Sequence, residues 1–148
     1  MEPRLISNTK ERHFRLVGID VRVRAGADDT GGALSALEQE VPPGAGSPLH
    51  TVREDKVLLL LEGELGVELG PRRLELRAGD GVTIPGGAPH RFFNERATTA
   101  RLMMLLLPGG HERYLAEVAR LEARAKLTEP DMRELGERFG VAVLGAIE

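Results

Sequence analysis

No cysteine occurs in the chain, which excludes disulfides, thiolate metal sites, iron–sulfur clusters and cysteine nucleophiles together. The redox compartment is left unmarked. No apolar run approaches the roughly 18 residues that a helix needs to cross a bilayer. The opening residues, MEPRLISNTKERHF, are charged and lack the apolar stretch of a secretory signal. A cytoplasmic location without a membrane partner is the expectation. Charge of one sign is also scarce: 23 acidic residues against 20 basic ones give a formal charge of -3, too weak a field to gather nucleic acid. Only three of the basic residues are lysines, and there are two asparagines and one glutamine. That bias suits a GC-rich or heat-adapted source and says nothing about activity.

What is present is an ordinary globular composition, 41% hydrophobic and 29% charged over 148 residues. A chain of this size buries roughly 70% of its unfolded surface around a single core. Ile19, Val21 and Val23 alternate with Asp20, Arg22 and Arg24, a period of two that predicts one strand over 14–24. After a turn at Asp28 to Gly32, Leu37, Gln39 and Val41 alternate with Glu38 and Glu40, and PPGAGSP from Pro42 to Pro48 breaks that strand. Short strands are then predicted at 57–61, 65–69, 74–76, 82–84, 91–93 and 101–107, separated by turns at GPR, AGDG and PGGAP. So many short strands with closely spaced Gly and Pro indicate an antiparallel sandwich, barrel or jelly roll. After Pro108 the period lengthens. Tyr114, Val118, Leu121 and Ala125 share one helical face, and a second helix begins at Thr128, carries Pro130 in its first turn and Met132, Leu135 and Phe139 on one face, and stops at Gly140. The reading is therefore one domain: strands over 1–108 and a helical extension over 109–148. On the first of these helices Arg113, Arg120 and Arg124 are interleaved with Glu112, Glu117 and Glu122, the pattern of a solvated surface.

Two segments carry histidine between Gly and Pro. The first is GSPLHTVREDKVLLLLEG from Gly46 to Gly63, and the second is GDGVTIPGGAPHRFFN from Gly79 to Asn94. They resemble the paired motifs of the cupin superfamily. The second motif of that family runs G, five residues, P-x-G, two residues, H, three residues, N; Gly79, Pro85, Gly87, His90 and Asn94 match it throughout. The first runs H-x-H, three or four residues, E, six residues, G. Here His50 and Gly63 match, while Val52 stands at the second histidine and Lys56 at the glutamate. The GGALS opening and the closing FGVAVLG are similar to small bacterial cupins of the quercetin-dioxygenase-like kind. The resemblance implies a mainly β, cupin-type jelly-roll β-barrel with two C-terminal α-helices, and a homodimer.

It also implies three histidines and a carboxylate around a divalent metal, and the sequence keeps two of the four. At an effective dielectric of 20, two unit charges at 4 Å interact by about 4 kcal/mol, so an ammonium beside a divalent ion is repelled by roughly twice that. The usual four-ligand metal site is not expected, and no cofactor is predicted with it. A divalent metal on His50 and His90 stays open only if His13, His111 or water completes the shell, or if Lys56 turns away or loses its proton through burial.

Strand alternation would place His50, Val52 and Lys56, and likewise His90, Phe92 and Asn94, around one interior pocket. The alternative leaves the histidines as hydrogen-bonded core residues and turns Lys56 to solvent beside Glu54 or Asp55, since lysine is seldom buried unpaired. Phe92, Phe93, Met103 and Met104 are read as interior filling. Three functions follow: a metal-poor module that binds a small molecule, with an anionic one favoured by Lys56; a dioxygenase-like or isomerase-like enzyme using His50 and His90; or a partner domain.

Overall fold

The computed structural model describes residues 2–145; Met1 and 146–148, the outer ends of the two expected segments, lie outside the described residues. Strand β1 (His13–Leu16) turns directly into β2 (Ile19–Ala25). Where one strand was expected over 14–24, Val17 (φ 41°) and Gly18 (φ 80°) make a two-residue reversal. Positive φ at both turn positions matches the twist of an antiparallel pair, and glycine takes it freely. The turn is held from outside: Val17 N–H donates to the Glu122 carboxylate at 2.8 Å. A single helical turn, α1 (Ala27–Thr30), fills the segment read as a plain turn.

The remaining strands are β3 (Ser35–Val41), β4 (His50–Val52), β5 (Asp55–Glu62), β6 (Glu64–Leu69), β7 (Arg72–Arg77), β8 (Gly81–Ile84), β9 (His90–Phe93) and β10 (Ala100–Leu107). They form two antiparallel sheets. The six-stranded sheet has the order β1-β2-β3-β10-β5-β8. The five-stranded sheet has the order β11-β4-β9-β6-β7, where β11 is Val141–Val143. The sheets are not hydrogen-bonded into a closed cylinder, yet they form the expected jelly roll. Leu37, Leu58, Leu60 and Leu102 from one and Val52, Leu65, Val67 and Phe92 from the other join a single buried core.

Helix α2 (His111–Arg124) lays Tyr114 and Val118 on that core. Ala125, expected on the same face, instead ends the helix and is exposed. Glu112 fixes the start of α2. Its carboxylate accepts from Ala27 N–H at 2.7 Å and from Ser35 Oγ–H at 2.5 Å. Glu112 and Glu122 are thus structural acceptors rather than solvated charges, while Arg113 pairs outward with Asp28 and Arg120 with Glu117. Helix α3 (Glu129–Phe139) has the ends read from the sequence: Thr128 Oγ1 accepts from Asp131 N–H, Pro130 lies in the first turn, and Gly140 stops the helix at φ 73°.

Gly140 then turns the chain into β11, a strand absent from the sequence reading. Its Val141 pairs with Val52 and its Val143 with His50. The close packing of α3 on β11 depends on Gly136, where a Cβ would stand 2.1 Å from Val141 O. Replacing an interior helical glycine by alanine ordinarily stabilises by about 1 kcal/mol. Here the collision is with backbone, which cannot step aside cheaply. Gly136→Ala will therefore lower the denaturation midpoint in urea, the reverse of the usual sign, and an unchanged or raised midpoint would refute this packing.

Candidate functional site

The site is assembled from two short strands, β4 and β9, and the long strand β5. His50 on β4 and His90 on β9 are direct cross-strand partners, with ring centroids 4.4 Å apart and planes inclined at 49°. Each ring is fixed by the turn before its strand. His50 Nδ1 lies 2.8 Å from Pro48 O, and His90 Nδ1 lies 2.8 Å from Ala88 O. A carbonyl only accepts, so both rings carry their proton on Nδ1 and leave Nε2 as the basic nitrogen. On the opposite sheet, Lys56 enters the interior from β5 and donates from Nζ to His90 Nε2 at 2.7 Å. The surface alternative for Lys56 is thereby corrected: the residue is 2% exposed and His90 1%. Glu54, its expected surface partner, is itself buried beside Arg53, and Asp55 accepts from Gly86 N–H.

Burial sets the protonation. Burial first, and the neighbouring Lys56 charge second, bring His50 down to about 3 and His90 down to about 4. Desolvation also pulls Lys56 down to about 7, partly opposed by the Glu54 carboxylate. Near neutrality the cluster therefore holds two uncharged imidazoles and a lysine divided between amine and ammonium.

A cavity of about 100 Å³ opens on this cluster between the sheets and the C-terminal helices. His50, Lys56 and Phe92 border it. Its walls are chiefly apolar, with Ile19, Met104, Val118 and Met132 among them. The structure does not bring all six predicted residues there. His90 lies behind Lys56 and holds Nζ, and Val52 is packed within the core. Asn94 is a loop staple: its Nδ2 donates to Val41 O and Thr98 O, and its Oδ1 accepts from Arg96 N–H. The pairs read as interior filling are split by strand alternation. Phe92 and Met104 are buried, whereas Phe93 and Met103 are only half-buried.

Sequence reasoning missed Gln39 and Tyr114 as cavity residues and had named His111 only as a candidate to complete a metal shell. His111, Tyr114 and Gln39 also border the cavity. His111 stacks on Tyr114 with centroids 5.4 Å apart, and burial holds the His111 pKa well below its usual value. Desolvation raises Tyr114 to about 12. No motif spacing placed His111 beside His50 and Lys56; the docking of α2 brings it there.

Residues 37–106 match the family model of the cupin domain. The chain has the cupin fold. Among solved structures it is similar to the polyketide cyclase RemF from Streptomyces resistomycificus, with a TM-score of 0.62, 22% identity, and 72% of this chain and 80% of that one covered. It is likewise similar to a cupin 2 conserved barrel domain protein from Salinispora arenicola, with a TM-score of 0.61, 18% identity, and coverage of 84% and 100%. A Thermus thermophilus protein, TT1209, is 26% identical with a TM-score of 0.52 over 70% of this chain and 90% of that one. No curated protein sequence matches.

The residues at the four cupin ligand positions do not fit a metal. Val52 has no donor atom, and Lys56 places its nitrogen against the lone pair of His90 that a metal would need. His13 is exposed on β1 and bonded to Asn8, so it does not join the cluster. Among the described residues no three His, Cys, Asp or Glu side chains converge to hold an ion.

The lowered Lys56 pKa fixes the sign of a pH effect. Between about 7 and 10.5 the unfolded chain holds a proton on Lys56 that the folded chain has released, so stability rises with pH across that window. Against Lys56→Met, the parent will gain about 1 kcal/mol of unfolding free energy per pH unit between pH 7.5 and 9.5. Parallel pH profiles in urea titrations would show that the lysine is not held in this environment.

Proposed function

We propose that this cupin-fold protein receives a small organic molecule in the cavity, without the family's divalent metal. The ligand has an apolar body and one oxygen head, a carboxylate or a carbonyl, placed at Lys56 and His50. The observation that carries this reading is a polar cluster on the wall of a chiefly apolar cavity. Lys56 supplies the donor, and His50 Nε2, the ring nitrogen left free by Pro48, accepts from an O–H or N–H of the ligand. The size argues for few atoms: about 100 Å³ is smaller than the apolar cavity of about 150 Å³ that accepts benzene. The similar structures include a polyketide cyclase, but a fold hosts many chemistries and the site decides among them. A quercetin-dioxygenase-like activity would call for metal ligands that Val52 and Lys56 do not supply.

Protein purified without chelator is expected to carry far less than one equivalent of Mn, Fe, Co, Ni, Cu or Zn by plasma mass spectrometry. The Val52→His/Lys56→Glu double variant is expected to load metal, because it restores three imidazoles and a carboxylate. Near-stoichiometric metal in the parent would overturn the metal-free reading. Short carboxylic acids and amides are expected to raise the melting temperature of the parent more than that of Lys56→Met.

The same reading includes a homodimer through the outer face of the six-stranded sheet. Leu59, Leu61 and Leu107 are 37%, 39% and 44% exposed, and Val57, Met103 and Leu105 lie half-buried among them. Met103 pairs with Leu59 and Leu105 with Val57, so the row is continuous across β5 and β10. Arg22, Arg24 and Arg101 beside Glu38, Glu40 and Glu62 flank it with both signs. Such a rim complements a second copy of itself about a two-fold axis. Light scattering after size exclusion is expected to give a dimer for the parent and a monomer for Leu59→Glu/Leu105→Glu; a monomeric parent would dismiss the assembly.

A further inference from the structure

The lysine that borders the cavity is held in an unusual way. Among the described residues its one hydrogen-bond partner is the neutral nitrogen of His90, and none of their carboxylate oxygens lies within ion-pair distance of Nζ. Lys56 is a hydrogen-bonded amine facing an apolar chamber rather than a salt-bridged ammonium. We propose that Lys56 captures a small aldehyde or ketone from the cavity as a reversible imine, with His50 carrying the proton from nitrogen to oxygen.

The inference rests on the cavity being a ligand site and names the chemistry of its occupant. The Nζ lone pair adds to the carbonyl carbon, a C–N bond forms, and the C=O π pair moves to oxygen. One Nζ proton passes through His50 Nε2 to that oxygen and gives a carbinolamine. The nitrogen lone pair then expels the hydroxyl group, which leaves with the remaining Nζ proton as water while C=N forms. Amine plus carbonyl becomes imine plus water, with no change of oxidation state. Each group is placed for its part. His90 steadies Nζ through an acceptor contact at 2.7 Å. His50 borders the cavity with its Nδ1–H committed to Pro48 O, so Nε2 is its proton-accepting nitrogen. The apolar walls admit a carbonyl compound with an alkyl or aryl body and keep bulk water low, which favours a step that releases water. Desolvation supports the neutral amine that the attack requires.

The chain offers an internal control, because its other two lysines, Lys10 and Lys126, are exposed. The full chain is incubated with butanal and cyanoborohydride at neutral pH, digested and mapped by mass spectrometry. A single butyl group is expected on Lys56 well before Lys10 or Lys126 reacts. It is expected to be absent in Lys56→Arg, and to form about a hundredfold more slowly in His50→Gln, the size typical of losing a positioned proton carrier. Circular dichroism of each variant verifies folding. As a second readout, butanamide, which fits the same space but forms no imine, is expected to protect Lys56 and to raise the melting temperature. Thermal protection by butanamide with no butyl group on Lys56 would overturn the imine and leave the ligand site standing. Neither protection nor modification would overturn both.

Discussion

The hydrogen bond between Lys56 and His90 crosses the interior of this domain from one sheet to the other, and much of the surrounding structure is arranged to permit it. Lys56 Nζ on β5 donates to His90 Nε2 on β9. A lysine this deeply buried needs an acceptor, because an unpaired polar group in an apolar medium costs several kcal/mol. His90 can accept only if its proton sits on Nδ1, and Ala88 O holds it there. Ala88 is positioned by the PGGAP turn, which docks through Gly87 N–H to Val52 O at 2.8 Å. At Gly86 a Cβ would stand 2.3 Å from Arg53 O. The turn, the tautomer, the acceptor and the buried amine are successive links of one chain of causes.

The helical segment completes this arrangement in a different manner. The sheets alone would leave β4 paired with β9 through a single register pair and otherwise open at its edge. Pairing with β11 covers that edge, and α2 roofs the chamber with Tyr114 and His111. Glu112 and Glu122 tie α2 to α1 and to the β1–β2 turn. The jelly roll thus supplies the polar floor of the cavity and part of its apolar wall, and the helices close the rest with Tyr114, Leu115, Val118 and Met132. A site divided in this way can change its roof without disturbing the floor, consistent with one fold serving unrelated chemistries.

Period and punctuation made most of the fold legible: the strand series, both long helices, and the caps at Thr128 and Gly140. The β1–β2 turn was not, because Leu-Val-Gly-Ile is three-quarters apolar and offers only one turn-forming residue. β11 is three residues long, and its partner lies some ninety positions earlier, so its pairing is a tertiary fact. At the site, spacing identified His50, Lys56 and His90 as a set, but alternation alone could not say whether Lys56 turned inward. Asn94 shared the expected phase and was drawn instead into the loop after β9, where three backbone groups satisfy its amide. His111 came from outside both motifs. No local pattern encodes which core a helix will cover.

The inward and outward rows of β5 are both apolar: Leu58 and Leu60 inside, Val57, Leu59 and Leu61 outside. A strand with grease on both faces has little hydrophobic penalty against slipping by one residue, since the usual penalty comes from turning a polar face inward. Its frame is set instead by the Arg53–Glu54 corner, where Arg53 N–H reaches Gly140 O and Gly86 N–H reaches the Asp55 carboxylate. Loss of one residue from that corner would leave a strand that still pairs and still packs, but it would exchange the two rows and carry the amine of Lys56 to the outside of the sheet. The length of a two-residue corner therefore bears on the interior chemistry as directly as the identity of the lysine does.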